Sequence, residues 1–327
     1  GDATLIKCDG HSMLIDAGNN DKGTLVQNYL QHQGVETLDY VIGTHPDADH
    51  IGGMDVVLYK FDCKTIIMPD VANNTRTYDD VVQTMKNKGY KTTYPVVGET
   101  YTIGGAAFTI IAPNKEYGND MNSWSVGVLL QNGNHRFLFT GDAEEGAEQD
   151  ILQNGIDISA DVYKVAHHGS NTATSQAFLD AVHPTYAVIS AGEGNSYGHP
   201  HAEVLNRLRA AGVSVFRTDE QGTIVAASDG TTLTWNMSPS ESWQAGEAKK
   251  SQNTDKSEKS TDSQNNAETD AAVSNPTDQP DGNSDVIVHI TKTGEKYHSA
   301  GCQYLRQSDI EVTLSEAKAR GLTPCSK

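Results

Sequence analysis

The chain has 327 residues and a formal charge of −19, room for one large domain plus something small, or for two medium domains. Residues 1–237 carry 29 acidic and 14 basic side chains, a surface that repels nucleic acid at long range unless something local supplies positive charge. No run approaches the roughly 18 apolar residues of a membrane span, and four cysteines (Cys8, Cys63, Cys302, Cys325) are too few and too scattered for a disulfide scaffold.

In chain order, TLIKC and SMLIDAG alternate as strands of a hairpin turning at Asp9-Gly10. Leu25, Tyr29 and Leu30 recur at helical spacing before Gly34. LDYVIG is a buried strand, IGGMDVVLYK a helix that starts on glycines, and KTIIMP a strand. TYDDVVQTMKNKG is a helix with an acidic first turn and Gly89 at its end. Residues 100–112 and 125–140 are predicted hairpins, the second turning on NGN at 132–134. Helices follow at EEGAEQDILQNG, SQAFLDAV and AEVLNRLRAAG, strands at DVYKVA, YAVIS and VSVF, and a last hairpin pairs GTIVAA with TLTW around Asp229-Gly230. Hairpin-rich sheet and βα alternation in both halves predict two mixed sheets packed together with helices outside. Residues 238–284 hold almost no apolar side chain and read as a disordered polar linker. Order is expected again from VIVHIT to the C-terminus, as a small module over 285–327.

The chemistry gathers at strand ends. THPDADH follows LDYVIG and places His45, Asp47, Asp49 and His50 within six residues. Unpaired, four such groups would desolvate badly. Imidazole nitrogens and carboxylate oxygens together suit zinc, manganese or iron, and Gly52-Gly53 let the backbone approach closely. Asp16 ends SMLID, Asp142 ends RFLFTGD, His167 and His168 end DVYKVAHHGS, and His199 and His201 lie in GHPH. Parallel strands would bring these ends to one rim, where open α/β sheets bind ligands. Asp142 is then a candidate bridge between two metals, and His168 a ligand of the second.

These motifs resemble the metallo-β-lactamase-fold hydrolases, whose pattern is H-x-H-x-D-H, a bridging Asp and a late His. His45, Asp49, His50, Asp142 and His168 match it, and Asp16 matches the conserved Asp that supports the ligands from behind. Two departures stand out: Asp47 replaces a His, and NDMNSWS at 119–125 lacks the usual third-motif His. HPDADHIGG, KVAHHGS, YGHPHAEVL and the opening GDA are similar to the hydrolase domain of ComEC-type competence proteins. The resemblance implies an αββα sandwich over residues 1–237 and two divalent ions, zinc or manganese. It further implies a water activated for in-line attack on the phosphorus of DNA or another phosphodiester. Asp49 would serve at the catalytic centre as well as in the ligand set. His167, His199 and His201 are candidates to protonate the leaving oxygen, and Asn122, Ser125 and Ser170 to hold phosphate oxygens.

The C-terminal module carries His298, Cys302 and Cys325 and is similar to the zinc-binding module of Ada-type DNA-repair proteins. That resemblance implies a structural zinc whose fourth ligand would lie past Lys327. Rival readings are a surface phosphorylcholine esterase, for which Tyr117, Trp124 and Tyr197 would build the aromatic cage, and a non-catalytic binding protein for nucleic acid or cell wall. GDATLIK opens without Met and reads as a trimmed piece of a longer precursor. Together with the linker and the ComEC likeness, this makes an extracytoplasmic location the expectation.

Overall fold

The opening hairpin forms where the alternation places it. β1 (Thr4–Cys8) and β2 (His11–Ile15) pair antiparallel through a turn whose Asp9 and Gly10 both have positive φ, the geometry that suits two-residue hairpins. In this computed structural model the described residues are 1–246, 287–290, 296–298, 310–313 and 323–324.

After β2 come α1 (Gly23–His32), β3 (Thr37–Ile42), α2 (Ala48–Ile51), α3 (Met54–Lys60), β4 (Asp62–Ile67), α4 (Arg76–Lys88) and β5 (Thr92–Thr93). The helix α4 starts on Thr75, whose hydroxyl accepts from Tyr78 N–H, and stops, as expected, at Gly89 in the left-handed conformation (φ 73°). The strands form a five-stranded sheet in the order β1-β2-β3-β4-β5, antiparallel at the hairpin and parallel beyond it.

The second half runs through β6 (Thr100–Ile103), β7 (Ala106–Ala112), β8 (Gly127–Asn132), β9 (His135–Phe139), α5 (Glu145–Gln153), β10 (Val162–Lys164), α6 (Gln176–Val182), β11 (Tyr186–Ile189), α7 (Ala202–Ala210), β12 (Ser214–Arg217) and α8 (Thr218–Gln221). It makes a seven-stranded sheet, β12-β11-β10-β9-β8-β7-β6. The β6–β9 meander is antiparallel and β9–β12 are parallel.

The two sheets pack face to face. Met13, Ile15, Ile42 and Ile67 from the first meet Phe108, Ile110, Val128 and Leu130 from the second. On the outer faces, Leu14 and Ile66 pack against Val26, Leu30, Val57 and Val81 of the helices. Leu129, Tyr163 and Ala187 pack against Ile151, Phe178 and Leu205. The strand period of two sends alternate side chains to the two cores, and the layers are helix, sheet, sheet, helix.

Three details differ from the expectations. On α1 the buried residues are Gly23, Val26 and Leu30, while Leu25 is 64% exposed. The helix lies so close to α3 that a Cβ on Gly23 would stand 2.7 Å from Val56, and this turns Leu25 to solvent. The last hairpin, β13 (Ala226–Ser228) and β14 (Leu233–Trp235), joins neither main sheet. It is fastened instead by Trp235 stacked on Phe216 at 4.0 Å and by Asn132 Nδ2–H donating to Ser228 O. Residues 238–246, placed in the linker by composition, lie along the same unit. Ser240 N–H donates to Val215 O, Arg217 Nη1–H to Gln244 O and Gly246 N–H to Pro200 O, with Trp243 against the helical core. Residues 247–284 of the expected linker lie outside the described residues.

The chain divides into two compact units, Gly1–Gln252 and Asn253–Lys327. In the second, β15 (Ile287–Ile290), β16 (Lys296–His298), β17 (Ile310–Thr313) and β18 (Thr323–Pro324) form a sheet in the order β17-β15-β16-β18. His298 falls on β16, while Cys302 and Cys325 lie outside the described residues. Among the described residues no helix is long and apolar enough to cross a membrane.

Candidate metal centre

The site begins at the carboxyl end of β2. Asp16, 1% exposed, accepts three hydrogen bonds: Thr44 N–H on Oδ1 at 2.8 Å, the Thr44 hydroxyl on Oδ2 at 2.8 Å, and His50 Nδ1–H on Oδ2 at 2.7 Å. One carboxylate thus fixes both the loop after β3 and the ring of His50. The Thr44 hydroxyl, spent as a donor on Asp16, can only accept from His45 Nδ1 at 3.1 Å. His45 Nε2 is left as a bare lone pair, fully buried and without a hydrogen-bond partner. Gly52 and Gly53 hold this loop against the turn after β2: a Cβ on Gly53 would stand 2.3 Å from Ala17 O.

The second sheet supplies the other half. Asp142 follows Gly141 (φ 53°) at the end of β9, and its N–H donates to Ser125 Oγ at 3.0 Å. After β10, His167 and His168 both adopt the left-handed conformation (φ 49° and 54°). That costs roughly 1–2 kcal/mol per non-glycine residue, and such strain clusters at functional sites. His168 Nδ1–H donates to Ser190 O at 2.9 Å, which aims Nε2 inward.

The inward atoms converge. His168 Nε2 lies 3.1 Å from Asp49 Oδ2, 3.4 Å from Asp142 Oδ2 and 3.3 Å from His50 Nε2. His50 Nε2 is 3.2 Å from Asp142 Oδ1, and His45 Nε2 is 3.7 Å from Asp47 Oδ2. Burial opposes a charge on His50 and His168, yet the facing carboxylates outweigh it. Asp142 and Asp16 hold His50 well above its ordinary value, and Asp142 and Asp2 push His168 up to about 10. In return, against the cost of burial, His50 and His168 hold Asp142 well below the carboxylate range. Burial, with His50 beside it, takes His45 down to about 3. Burial and then Asp49 raise Asp47.

Two imidazole Nε2 atoms lie 3.3 Å apart, each with its Nδ1 already donating, so with both rings neutral their lone pairs face one another. A divalent cation would accept both lone pairs. The orphaned His45 Nε2 and Asp142 Oδ1 make the same point, and the mixed nitrogen and oxygen donors suit a divalent metal. The residues present therefore fit a metal centre: His50, Asp142, His168 and Asp49 meet, and His45 and Asp47 stand beside them 3.7 Å apart.

The remaining candidates divide. His167 stands at the rim, Nε2 3.7 Å from Asp142 Oδ2 and Nδ1 3.2 Å from Thr172 Oγ1. Asn122 Nδ2–H donates to Glu144 Oε1, which also faces His167 Nδ1 at 3.3 Å. His199 is buried between Tyr197 and His168, and burial followed by His201 takes it down to about 4. His201 is not free to move a proton: Nδ1 accepts from Asn171 N–H and Nε2–H donates to Tyr197 O. Ser125 is wholly buried behind His45 and Asp142, and Ser170 is turned onto Thr172, so neither hydroxyl opens to a substrate. Asp2 was not among the sequence candidates, yet it clusters with His50, Asp142 and His168. Only the opening GDA pointed toward it.

Residues 1–193 match the family model described as the metallo-beta-lactamase superfamily. ComE operon protein 3 of Bacillus subtilis (strain 168) is 33% identical over 196 residues, 60% of this chain and 25% of that protein. Recombination protein 2 of Haemophilus influenzae is 32% identical over 227 residues, 68% of this chain and 27% of that protein. Competence protein ComA of Neisseria gonorrhoeae is 28% identical over 224 residues, 68% of this chain and 30% of that protein. The chain thus spans between a quarter and a third of the length of these relatives. With more than half of its length matched and the layered fold in place, the chain belongs to the metallo-beta-lactamase superfamily.

Proposed function

We propose that the first unit is a metal-dependent phosphodiesterase that cleaves DNA. The observation that carries this reading is the convergence of His50 Nε2 and His168 Nε2 with the carboxylates of Asp49 and Asp142 at the rim of two sheets, the orphaned His45 Nε2 lying nearby. The names of the relatives, competence and recombination proteins, favour DNA as the substrate.

A pair of divalent ions, zinc or manganese, would supply Lewis acidity and an activated water at neutral pH. His45 and Asp47 would hold one, Asp49, His50 and His168 the other, with Asp142 shared. Asp16, Thr44 and Ser190 keep the imidazoles in the tautomer that presents Nε2. Residues 119–125 hold no third-motif His, and Ser125 there meets only His45 Nδ1, at 3.3 Å, so the first position has the fewer protein ligands and is the weaker. His167, half-buried at the rim, would protonate the leaving oxygen, with Thr172 and Glu144 orienting its Nδ1. Asn122 joins it as a phosphate-facing donor. His199, held neutral, walls the site.

A choline cage is disfavoured by the geometry. Trp124 is 8% exposed with its indole N–H on Gly118 O, and the Tyr117 hydroxyl donates to Asp150. Of the three rings Tyr197 alone is exposed. An extracytoplasmic setting belongs to the same proposal, supported by the polar composition of 238–284, and cell fractionation checks it.

The test is cleavage of end-labelled single- and double-stranded DNA with manganese or zinc, by the wild type, His50→Ala and Asp142→Asn. Loss of about 100-fold or more in both variants is expected. Equal cleavage by all three, or none by the wild type with either metal, would refute the reading.

A further inference from the structure

We propose that Asp2, clamped by Lys164, is the positioning residue for His168, and through it sets the affinity of the metal centre. The inference rests on the metal-centre part of the reading above, not on DNA as the substrate.

Asp2 precedes β1 and Lys164 ends β10, so the pair joins the two sheets. Both side chains are buried, at 5% and 7% exposure, and Lys164 Nζ lies 2.6 Å from Asp2 Oδ2. Lys164 Nζ also donates to Val165 O. Its ammonium is thereby fixed, and with it the carboxylate. The backbone of Asp2 is tied as firmly: its N–H donates to Asp49 O at 3.0 Å, and its carbonyl accepts from Gly18 N–H at 2.7 Å. The other carboxylate oxygen, Oδ1, is buried without a hydrogen-bond partner and stands 3.2 Å from His168 Nδ1. His168 Nδ1–H donates to Ser190 O, and Asp2 Oδ1 faces the same edge of the ring as a fixed negative charge.

An oxygen at Nδ1 sits on the ring edge opposite Nε2. It is placed to orient the imidazole and raise its basicity rather than to bind the metal itself. His50 is backed more directly, its Nδ1–H donating to Asp16 Oδ2 at 2.7 Å. The two imidazoles that face each other across the centre are thus each backed by a buried carboxylate, one from either end of the opening hairpin. A carboxylate behind a ligating histidine typically contributes 10–100-fold to metal affinity.

A buried ion pair between sheets could also serve stability alone, and the experiment separates the two. Zinc and cobalt dissociation constants are measured by chelator competition for the wild type, Asp2→Asn and Asp2→Asn/Lys164→Met. Ion number comes from elemental analysis and melting temperature from circular dichroism. The double variant removes both charges, so it keeps the carboxylate test open where the single variant leaves Lys164 unpaired and unfolds the protein. The expected result is a 10–100-fold weaker dissociation constant in the folded variants, an unchanged ion number at saturation, and a shifted visible spectrum of the cobalt-loaded protein. A lowered melting temperature with affinity within twofold of wild type would assign the pair to stability and overturn the inference. Loss of one whole ion would make Asp2 a ligand and overturn it equally. A wild type that binds no ion would remove the metal-centre reading and this inference together.

Discussion

Asp16 shows how one side chain can organise a site. It receives two donors from Thr44 and one from His50, and Asp16→Ala leaves three donors without their acceptor in a closed interior. A loss of several kcal/mol is expected, since each buried donor left unsatisfied costs about 1–3 kcal/mol, read as a lower denaturant midpoint. Protonation makes a second prediction. In ion-free protein the pKa of His168 is raised from 6.5 to about 10. The stability this contributes is fully present below pH 6.5 and is lost as pH rises toward 10. The melting temperature measured in chelator should therefore fall across that window. Metal binding at neutral pH must expel that proton, so calorimetry in buffers of different ionisation enthalpy should show net proton release. At Cys63, burial and then Asp62 push the thiol up to about 12. Native protein at pH 8 should leave it unmodified by a disulfide reagent until denaturant is added.

Among the elements, the loops that carry ligands are the most tightly constrained. Gly53 sits where a Cβ would stand 2.3 Å from Ala17 O and 2.8 Å from Gly23 Cα. Gly53→Ala must separate the α2–α3 junction from the turn after β2, moving His50 away from Asp16. The expected outcome is loss of both stability and bound metal, measured by thermal melting and elemental analysis. Glu148 on α5 gives the contrast. It is buried and accepts from Thr174 N–H and Ser175 N–H just before α6. Glu148→Ala should cost about 2–6 kcal/mol through the two unsatisfied donors while the ion number stays as in wild type. Much of this was legible beforehand. Hairpin turns, glycine helix ends and apolar periods fix element type locally, and the β1–β2 turn and α4 form as read. What was not legible depends on neighbours. The buried face of α1 is chosen by the approach of α3, and the β13–β14 hairpin by the ring of Phe216.

At the scale of the whole molecule, the three runs that hold the candidate ligands, THPDADH, TGD and HHGS, were readable because each is a local run at a strand end. Their convergence follows from parallel strands sharing a rim. Roles that depend on what surrounds a side chain were not readable. The backbone partners of His201 and the burial of Ser125 leave no mark in sequence, and Asp2 acts across the space between two sheets. The extent of the first unit was equally hidden, because residues 238–246 are polar yet held by backbone bonds. A chain ending at 237 loses the Trp243 packing and the partners of Arg217 and Pro200. It should melt several degrees below one ending at 246, since about 1 kcal/mol moves the midpoint of a domain this large by roughly 2–4 °C.

The most direct test of the central claim is anomalous diffraction from crystals grown with zinc or manganese. Anomalous peaks are expected within bonding distance, about 2.0–2.2 Å for zinc, of the Nε2 atoms of His45, His50 and His168 and the oxygens of Asp49 and Asp142. Fully occupied metal elsewhere in the first unit, with those five side chains bonded to one another and bare of metal, would contradict it.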